Sequence, residues 1–396
     1  MTIAEQRISS VRLVPDNSQV LRELGPLANL VGSWEGRGFN LIARPDFHDQ
    51  ADLYLQLNHT HENFRVSSIA SAIPNRGFGQ DDISLFGVDY LDKISDVSPP
   101  EGTGGALHLE PGLWVYQPDP ATTFPPENVD PAQLVHRMAT IPHGNAVLAS
   151  GVAQPFTGPP TLATADATYN GSLFPSFNST PFGAGGPLNA AGSSAKATQA
   201  ANPGTTLFNE YNLQVTADKT NPRTPFPAAT PVLPASINGV DLQDLINDPI
   251  LLLQAQINKQ VANGDQFEGI ALNIASRAVV KFNANPNSKF GPGAPAPVQV
   301  TVPGADGGAE NILFLDGEKD VQGRPLNNAH TALVYATFWI TTVHPVDRAP
   351  YQQLQYAQMV ELDFPIRSLL DATPSTYVNL GWPHITVATL RKSFNS

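Results

Sequence analysis

The chain contains no cysteine. Thiolate nucleophiles, disulfides, iron–sulfur clusters and Cys-ligated zinc are therefore excluded together, and any chemistry falls to His, carboxylate, Ser and Tyr side chains. His59 and His61 lie two apart in Asn58-His-Thr-His-Glu-Asn63, so on a strand their imidazoles share one face, as half of a metal site would. No third ligand follows at a usual spacing, and the same residues suit a polar turn. His108 sits in Ala106-Leu-His-Leu-Glu-Pro-Gly-Leu-Trp114, where Leu107 and Leu109 share one face and His108 and Glu110 the other. If the leucine face is the core, His108 is a surface residue; in a closed barrel its face is the lined interior. His384, in Gly381-Trp-Pro-His-Ile-Thr-Val-Ala-Thr-Leu-Arg391, shares a strand face with Thr386 and Ala388, and those small neighbours leave room for a flat ligand beside an imidazole. A structural role stays open for it too. Hydrolase and nucleotide signatures (Gly-X-Ser-X-Gly, the Walker A loop, His-Glu-X-X-His) are missing. Ser193-Ser-Ala-Lys196 matches Ser-X-X-Lys only formally, within Ala/Gly-rich sequence.

Residues of this kind need elements to hold them, and the sequence favours strands. With 31 Gly and 37 Pro in 396 residues, the chain is punctuated often, and short alternating apolar runs fall between the breaks. Such runs occur at 53–57, 107–110, 113–116, 134–141, 146–153, 278–282, 298–302, 312–315, 331–343, 353–364 and 384–390. Many short strands with Gly/Pro turns indicate a sandwich or a barrel. Two helical segments stand out. Val20, Leu21, Leu24, Leu27 and Leu30 follow helical spacing behind the capping residues Asp16-Asn-Ser18, with Pro26 interrupting. Asp248 as N-cap, Pro249 at the first position and Gly264 past the end bracket a helix over 250–261. Gly36 and Gly38, inside an otherwise strand-like opening, predict the close approach of another backbone or a ligand.

Residues 1–154 thus read as the N-terminal part of a barrel, and 331–396 as the strands that close it. Between them lies a long insertion, 155–330, irregular and rich in Ala, Gly, Pro, Ser and Thr, with one helix and extra strands that are expected to extend the barrel's sheets. Phe174, Phe177 and Phe182 are expected to pack it down.

Charge narrows the partners. Lys and Arg total 22 against 35 Asp and Glu, a formal −13, which repels phosphate backbones and anionic lipid surfaces. No nucleic-acid or membrane partner is expected. No apolar run reaches bilayer length, and Met1 to Arg7 lack the pattern of a secretory signal, so a cytoplasmic location is the expectation.

Four segments in order resemble the nitrobindin family of heme-binding barrels. Leu24-Gly-Pro-Leu-Ala-Asn-Leu-Val-Gly-Ser-Trp-Glu-Gly-Arg-Gly38 resembles the family's opening, a short helix ending in Gly-X-Trp-X-Gly-X-Gly. Leu107 to Trp114 resembles its second block, and Arg137 to Gly151 the strand–turn–strand that follows. Tyr356-Ala-Gln-Met359 to Trp382-Pro-His-Ile-Thr-Val-Ala-Thr-Leu-Arg391 resembles the closing hairpin. The long insertion is similar to that of larger bacterial heme-binding members.

The resemblance implies a mainly β, antiparallel nitrobindin- or lipocalin-like barrel that holds heme b. His384 corresponds to the proximal iron ligand, and His108 to the histidine on the distal side, where it would act as acid–base partner to a bound peroxide. Leu107 stands where many members carry Met beside the heme. Trp34 corresponds to the tryptophan of the opening block, which either packs beneath the ligand or plugs the barrel end. Arg37 is a candidate for a heme propionate, or a plain surface arginine. Tyr356, Trp339 and Trp382 are candidates for the pocket wall. The implied chemistry is heme-dependent: nitric oxide binding, isomerisation of peroxynitrite to nitrate, or peroxide-driven oxidation. An enzyme acting on a small organic substrate beneath the insertion, and a carrier of heme or another apolar ligand without turnover, are the alternatives. A small-molecule ligand at the iron is the expected partner, and a homo-oligomer is compatible with all three.

Overall fold

The computed structural model describes residues 17–46, 51–75, 83–98, 105–118, 134–141, 146–162, 233–275, 279–283, 297–301, 330–367 and 377–393. In chain order, helix α1 (Asn17–Glu23) and a 3-10 turn (Gly25–Leu30) lead into β1 (Gly32–Asp46), β2 (Ala51–Asn75), β3 (Ile83–Asp96), β4 (Ala106–Gln117), β5 (Leu134–Thr140) and β6 (Ala146–Thr157). A small hairpin, β7 (Ser236–Ile237) with β8 (Val240–Asp241), precedes helices α2 (Leu242–Asn247) and α3 (Ile250–Ala262). Then follow β9 (Gln266–Ala275), β10 (Val279–Asn283), β11 (Pro297–Thr301), β12 (His330–His344), β13 (Tyr351–Arg367) and β14 (Tyr377–Ser393). No helix among the described residues is long and apolar enough to cross a membrane.

Ten strands close into an antiparallel barrel in the order β1-β14-β13-β12-β9-β6-β5-β4-β3-β2. Closure lies between the first and last strands, where Trp34 pairs with Lys392, Gly38 with Ala388 and Ile42 with His384. Gly36 and Gly38 make that seam. A Cβ on Gly36 would stand 2.1 Å from the Thr389 carbonyl oxygen, and one on Gly38 2.2 Å from that of Val387. The close approach that these glycines predict is therefore to the backbone of β14.

Residue 155 falls inside β6, and β9, from the 155–330 stretch, takes the place between β6 and β12. The long segment thus contributes a barrel strand as well as α2 and α3, while β10 and β11 pair only with each other. The strands expected at 107–110 and 113–116 run as one, β4, through Pro111. Strand β5 pairs with β4 only from Gly112 onward, so Pro111 lies where one edge alone is paired, the setting that a strand proline tolerates. The run at 312–315, Phe174, Phe177, Phe182 and the Ser193–Lys196 string lie outside the described residues.

Strand alternation divides the apolar side chains between two cores. Inside the barrel, Trp34, Phe64, Val88, Trp114, Val135, Phe338, Tyr356 and Leu390 pack with Leu24, Leu27 and Leu30 of α1 and its 3-10 turn, which plug one end. Trp34 Nε1 donates to the Leu30 carbonyl at 2.7 Å and ties the plug to β1. On the outside, Phe39, Leu41, Trp339, Met359, Ile385 and Val387 pack under Leu245, Ile246, Leu253 and Ile257 of α2 and α3.

Helix α3 starts at Ile250, whose N–H donates to Asp248 Oδ1 at 3.3 Å. Its end is fixed by Gly264, at φ +83°, and by a pair of bonds from the Gly264 and Asp265 amides to the Val261 and Gln260 carbonyls, the Schellman arrangement that a left-handed residue permits. Its polar Gln260 is buried but satisfied, donating to Tyr351 Oη at 2.7 Å and Gln353 Oε1 at 2.9 Å.

Candidate functional site

The inner wall can be read from register. Ile385 and Val387 belong to the outer core and Ala388 and Leu390 to the inner one, so His384 and Thr386 face the barrel interior. His384 is half-buried and lies directly between Ile42 on β1 and Val360 on β13. Beside it a polar ladder crosses three strands. Asn40 Nδ2 donates to Thr386 Oγ1 at 2.8 Å, Asn58 Nδ2 to Asn40 Oδ1 at 2.9 Å, and Gln56 Nε2 to Asn58 Oδ1 at 3.1 Å. These amides are carried inward at every second residue of β1 and β2, the faces whose lower positions are Trp34 and Phe64.

His108 faces the same interior from β4, on the far side of the ring from β14. Its Nε2 lies 3.0 Å from Glu110 Oε2. Glu110 is fully buried and anchors a cluster: Arg137 Nη2 donates to its Oε1 at 2.5 Å, Tyr90 Oη donates to the same oxygen, and Arg137 Nε donates to Tyr90 Oη at 2.9 Å. Arg137 also donates through Nη1 to Gln358 Oε1. Its guanidinium lies 5.1 Å from the Phe338 ring centre and 5.9 Å from that of Trp114, so aromatic faces as well as the carboxylate solvate the buried charge.

A second carboxyl group of the interior, Glu62 on β2, accepts from Tyr356 Oη at 2.6 Å, and Asp92 on β3 stands diagonally across from it, opposite Phe64. Three carboxyl groups, Glu62, Asp92 and Glu110, thus occupy neighbouring strands, with one guanidinium among them. Burial works to raise the Glu110 carboxyl, but Arg137 and then His108 outweigh it and hold it below the usual carboxylate range. Burial also opposes charge on Arg137, and Glu110 overrides it, so the guanidinium stays charged. Glu62 has no such compensation: burial pushes it up to about 7 against the pull of Tyr356 and Arg137. Burial and the neighbouring Glu62 and Glu110 push Asp92 well up. Burial raises both phenols, Tyr90 and Tyr356, well above their usual range.

The expected site residues therefore divide. His384, His108, Trp34 and Tyr356 all face the interior, with Trp34 in the plug and the two histidines on opposite walls. Arg37 is exposed on the outer face of β1, opposite to a ligand held inside. Leu107 is the extra residue of a β-bulge, because Ile94 pairs with His108 while Ser95 pairs with Ala106. Trp339 belongs to the outer core beneath the helices, because it alternates with Phe338 and Ile340. The side chain of Trp382 lies outside the described residues. His59 and His61 sit within continuous β2 on its outer face, and His61 Nε2 lies 3.0 Å from Glu35 Oε1. Among the described residues no group of three or more His, Asp or Glu side chains is arranged to hold a metal ion.

Glu62, Asp92, Arg137, Tyr90, Gln358 and Asn40 were not singled out by sequence reasoning. A signal existed for one of them: Arg137 interrupts the inward series Val135, Ala139 with a charge that a barrel interior has to neutralise, as Glu110 does on the face that it shares with His108. Compared with known protein families, curated proteins and solved structures, the chain matches none.

Proposed function

We propose that this protein is a heme-binding barrel of the nitrobindin type, with His384 as the iron's protein ligand and His108 as the acid–base group on the facing wall. The observation that supports it most is that these two histidines, from widely separated blocks of sequence, point into one closed barrel. The donor set suits heme b: one imidazole flanked by the small side chains of Thr386 and Ala388, above an aromatic floor of Trp114, Phe338 and Tyr356. Buried Thr60 Oγ1, Asp92 Oδ1 and Trp114 Nε1 have no protein partner, in keeping with an interior built to meet polar groups of a guest. A closed barrel of this order holds one small ligand. Bound heme would supply a redox-active iron with a position open to nitric oxide, peroxynitrite or peroxide.

The chain's own residues set the terms of that chemistry. Glu110 orients the His108 ring through Nε2, and Arg137 and Tyr90 in turn fix Glu110, so the imidazole is held in one orientation for proton exchange. The plug formed by α1, its 3-10 turn and Trp34 excludes water from one end. Asn40, Asn58 and Thr386 give the wall beside His384 hydrogen-bonding capacity.

Titration of the purified protein with hemin, followed by its Soret absorption, tests the reading. A saturable band at one heme per chain, lost or shifted in His384→Ala, is the expected result. Equal, loose binding by both proteins would remove His384 from the iron and leave a carrier of another apolar ligand. Saturable binding without turnover of peroxynitrite or peroxide would select the non-catalytic heme carrier.

A further inference from the structure

Glu62 plays no part in the proposal above and Asp92 enters it only through one unpartnered oxygen, yet both are carboxyl groups taken deep into the interior. Their side chains are almost wholly buried, at 1% and 6% exposure. Asp92 pairs with Phe64, the next inward residue after Glu62 on the adjacent strand, and two carboxylates this close and this deeply buried are disfavoured unless at least one carries a proton. The surrounding charges point the same way. The groups that face the pair are Tyr356 from β13, Tyr90 from β3, Glu110 and His108 from β4, and Arg137 from β5. Among the described residues, the one guanidinium that faces the pair is already matched by Glu110, bonded at 2.5 Å, so it is not free to neutralise a second or third carboxylate. Asp92 Oδ1 has no protein partner either.

We propose that Glu62 and Asp92 form a proton-sharing carboxyl pair, a proton store in the barrel floor beneath the ligand pocket. One proton stays on the pair through the neutral range, bridging Asp92 to Glu62 while Tyr356 donates to the other Glu62 oxygen. As pH falls, Glu62 takes up a second, and the pair passes from one negative charge to none. The transition lies near neutrality, because burial pushes Glu62 up to about 7. The pair therefore sets the charge that an entering ligand meets: an anion is repelled from below when Glu62 is ionised and is admitted when it is neutral. This deepens the proposed function by assigning the pocket a preference for anions at lower pH, and that part rests on the heme reading; the proton store does not.

Infrared difference spectroscopy on the full chain without hemin tests the store by itself. Protonated carboxyl groups absorb apart from carboxylates and shift in heavy water. The expected result is a protonated-carboxyl band persisting above neutrality, growing as pH falls through about 7, and losing its pH-dependent part in Glu62→Gln. Absence of the band above neutrality, or a band unchanged in both Glu62→Gln and Asp92→Asn, would overturn the proposal. Should Asp92→Asn fail to fold, Glu62→Gln, which keeps the hydrogen-bonding shape, decides alone. The consequence for ligands is read with hemin loaded: azide affinity is expected to rise by up to about tenfold for each pH unit as pH falls toward the transition and to level off below it, and to lose this component in Glu62→Gln. A band that behaves as expected in a protein that binds no hemin would sink the heme reading and leave the store standing.

Discussion

Tyr356 on β13 donates its hydroxyl to Glu62 on β2 at 2.6 Å, spanning β14 and β1 inside the barrel. A side chain from the C-terminal part of the chain thus satisfies a carboxyl group from the N-terminal part, in a place that water does not reach. The bond holds the two sides of the closing seam at one depth. Tyr356 also stacks on Phe338 with ring centres 5.0 Å apart, so its ring and hydroxyl are both committed.

Replacing Tyr356 with Phe keeps the stack and removes the donor. Glu62 is then buried with one partner fewer, a loss expected to cost about 1–3 kcal/mol. Urea denaturation of Tyr356→Phe at neutral pH, compared with pH 5, checks it. The deficit is expected to shrink at pH 5, where Glu62 is protonated.

The dependence of stability on pH has two opposed parts. Glu62 is raised from 4.5 to about 7 in the fold, so its contribution is greatest below 4.5 and falls as pH climbs to about 7, by about 1.4 kcal/mol for each pH unit. Glu110 is held low, so its contribution is present above the ordinary carboxylate range and is lost as pH falls below it. A stability profile from chemical denaturation is expected to flatten on its neutral side in Glu62→Gln and on its acid side in Glu110→Gln.

Removing Arg137 as Arg137→Met leaves Glu110 ionisable without its counter-charge. Breaking a buried pair in this way costs about 3–5 kcal/mol. The double variant Arg137→Met with Glu110→Gln is expected to recover part of that loss, because no stranded charge remains. A thermodynamic cycle over the two positions measures the coupling.

The glycine seam admits no side chain. Gly36→Ala places a methyl group 2.1 Å from the Thr389 carbonyl oxygen, so β1 and β14 must part. A loss of about 1–3 kcal/mol or more is expected, read as a lowered denaturation midpoint. Ala substitution at Gly239, where no atom lies within 4 Å of the added Cβ, is the milder comparison, although its φ of +83° carries a cost of its own.

Hemin titration of two further variants separates the inner wall from the outer. Arg37→Ala, on the outer face, is expected to leave the Soret titration unchanged. Thr386→Trp, which fills the space next to His384, is expected to abolish saturable binding. A loss of affinity in Arg37→Ala would return that residue to the propionates.

Much of the architecture was legible in the sequence because it is periodic or local. Alternating runs locate strands, Asp248 and Gly264 bracket α3, and Gly36 and Gly38 announce a close approach. Even the face shared by His108 and Glu110 follows from a repeat of two along a strand. The partners of these residues are not local. That β9, from the irregular middle of the chain, closes the ring between β6 and β12 depends on pairing between strands far apart in sequence. That Trp339 lies under α3 while Phe338 fills the barrel depends on which face the helices cover, and a one-residue shift in register would reverse them. Glu62, Asp92 and Glu110 look like ordinary polar positions when each is read in its own strand. Only closure of the barrel removes the water around them, brings Arg137 and Tyr356 across, and turns three separate carboxyl groups into one electrostatic problem that protons and a single guanidinium have to solve.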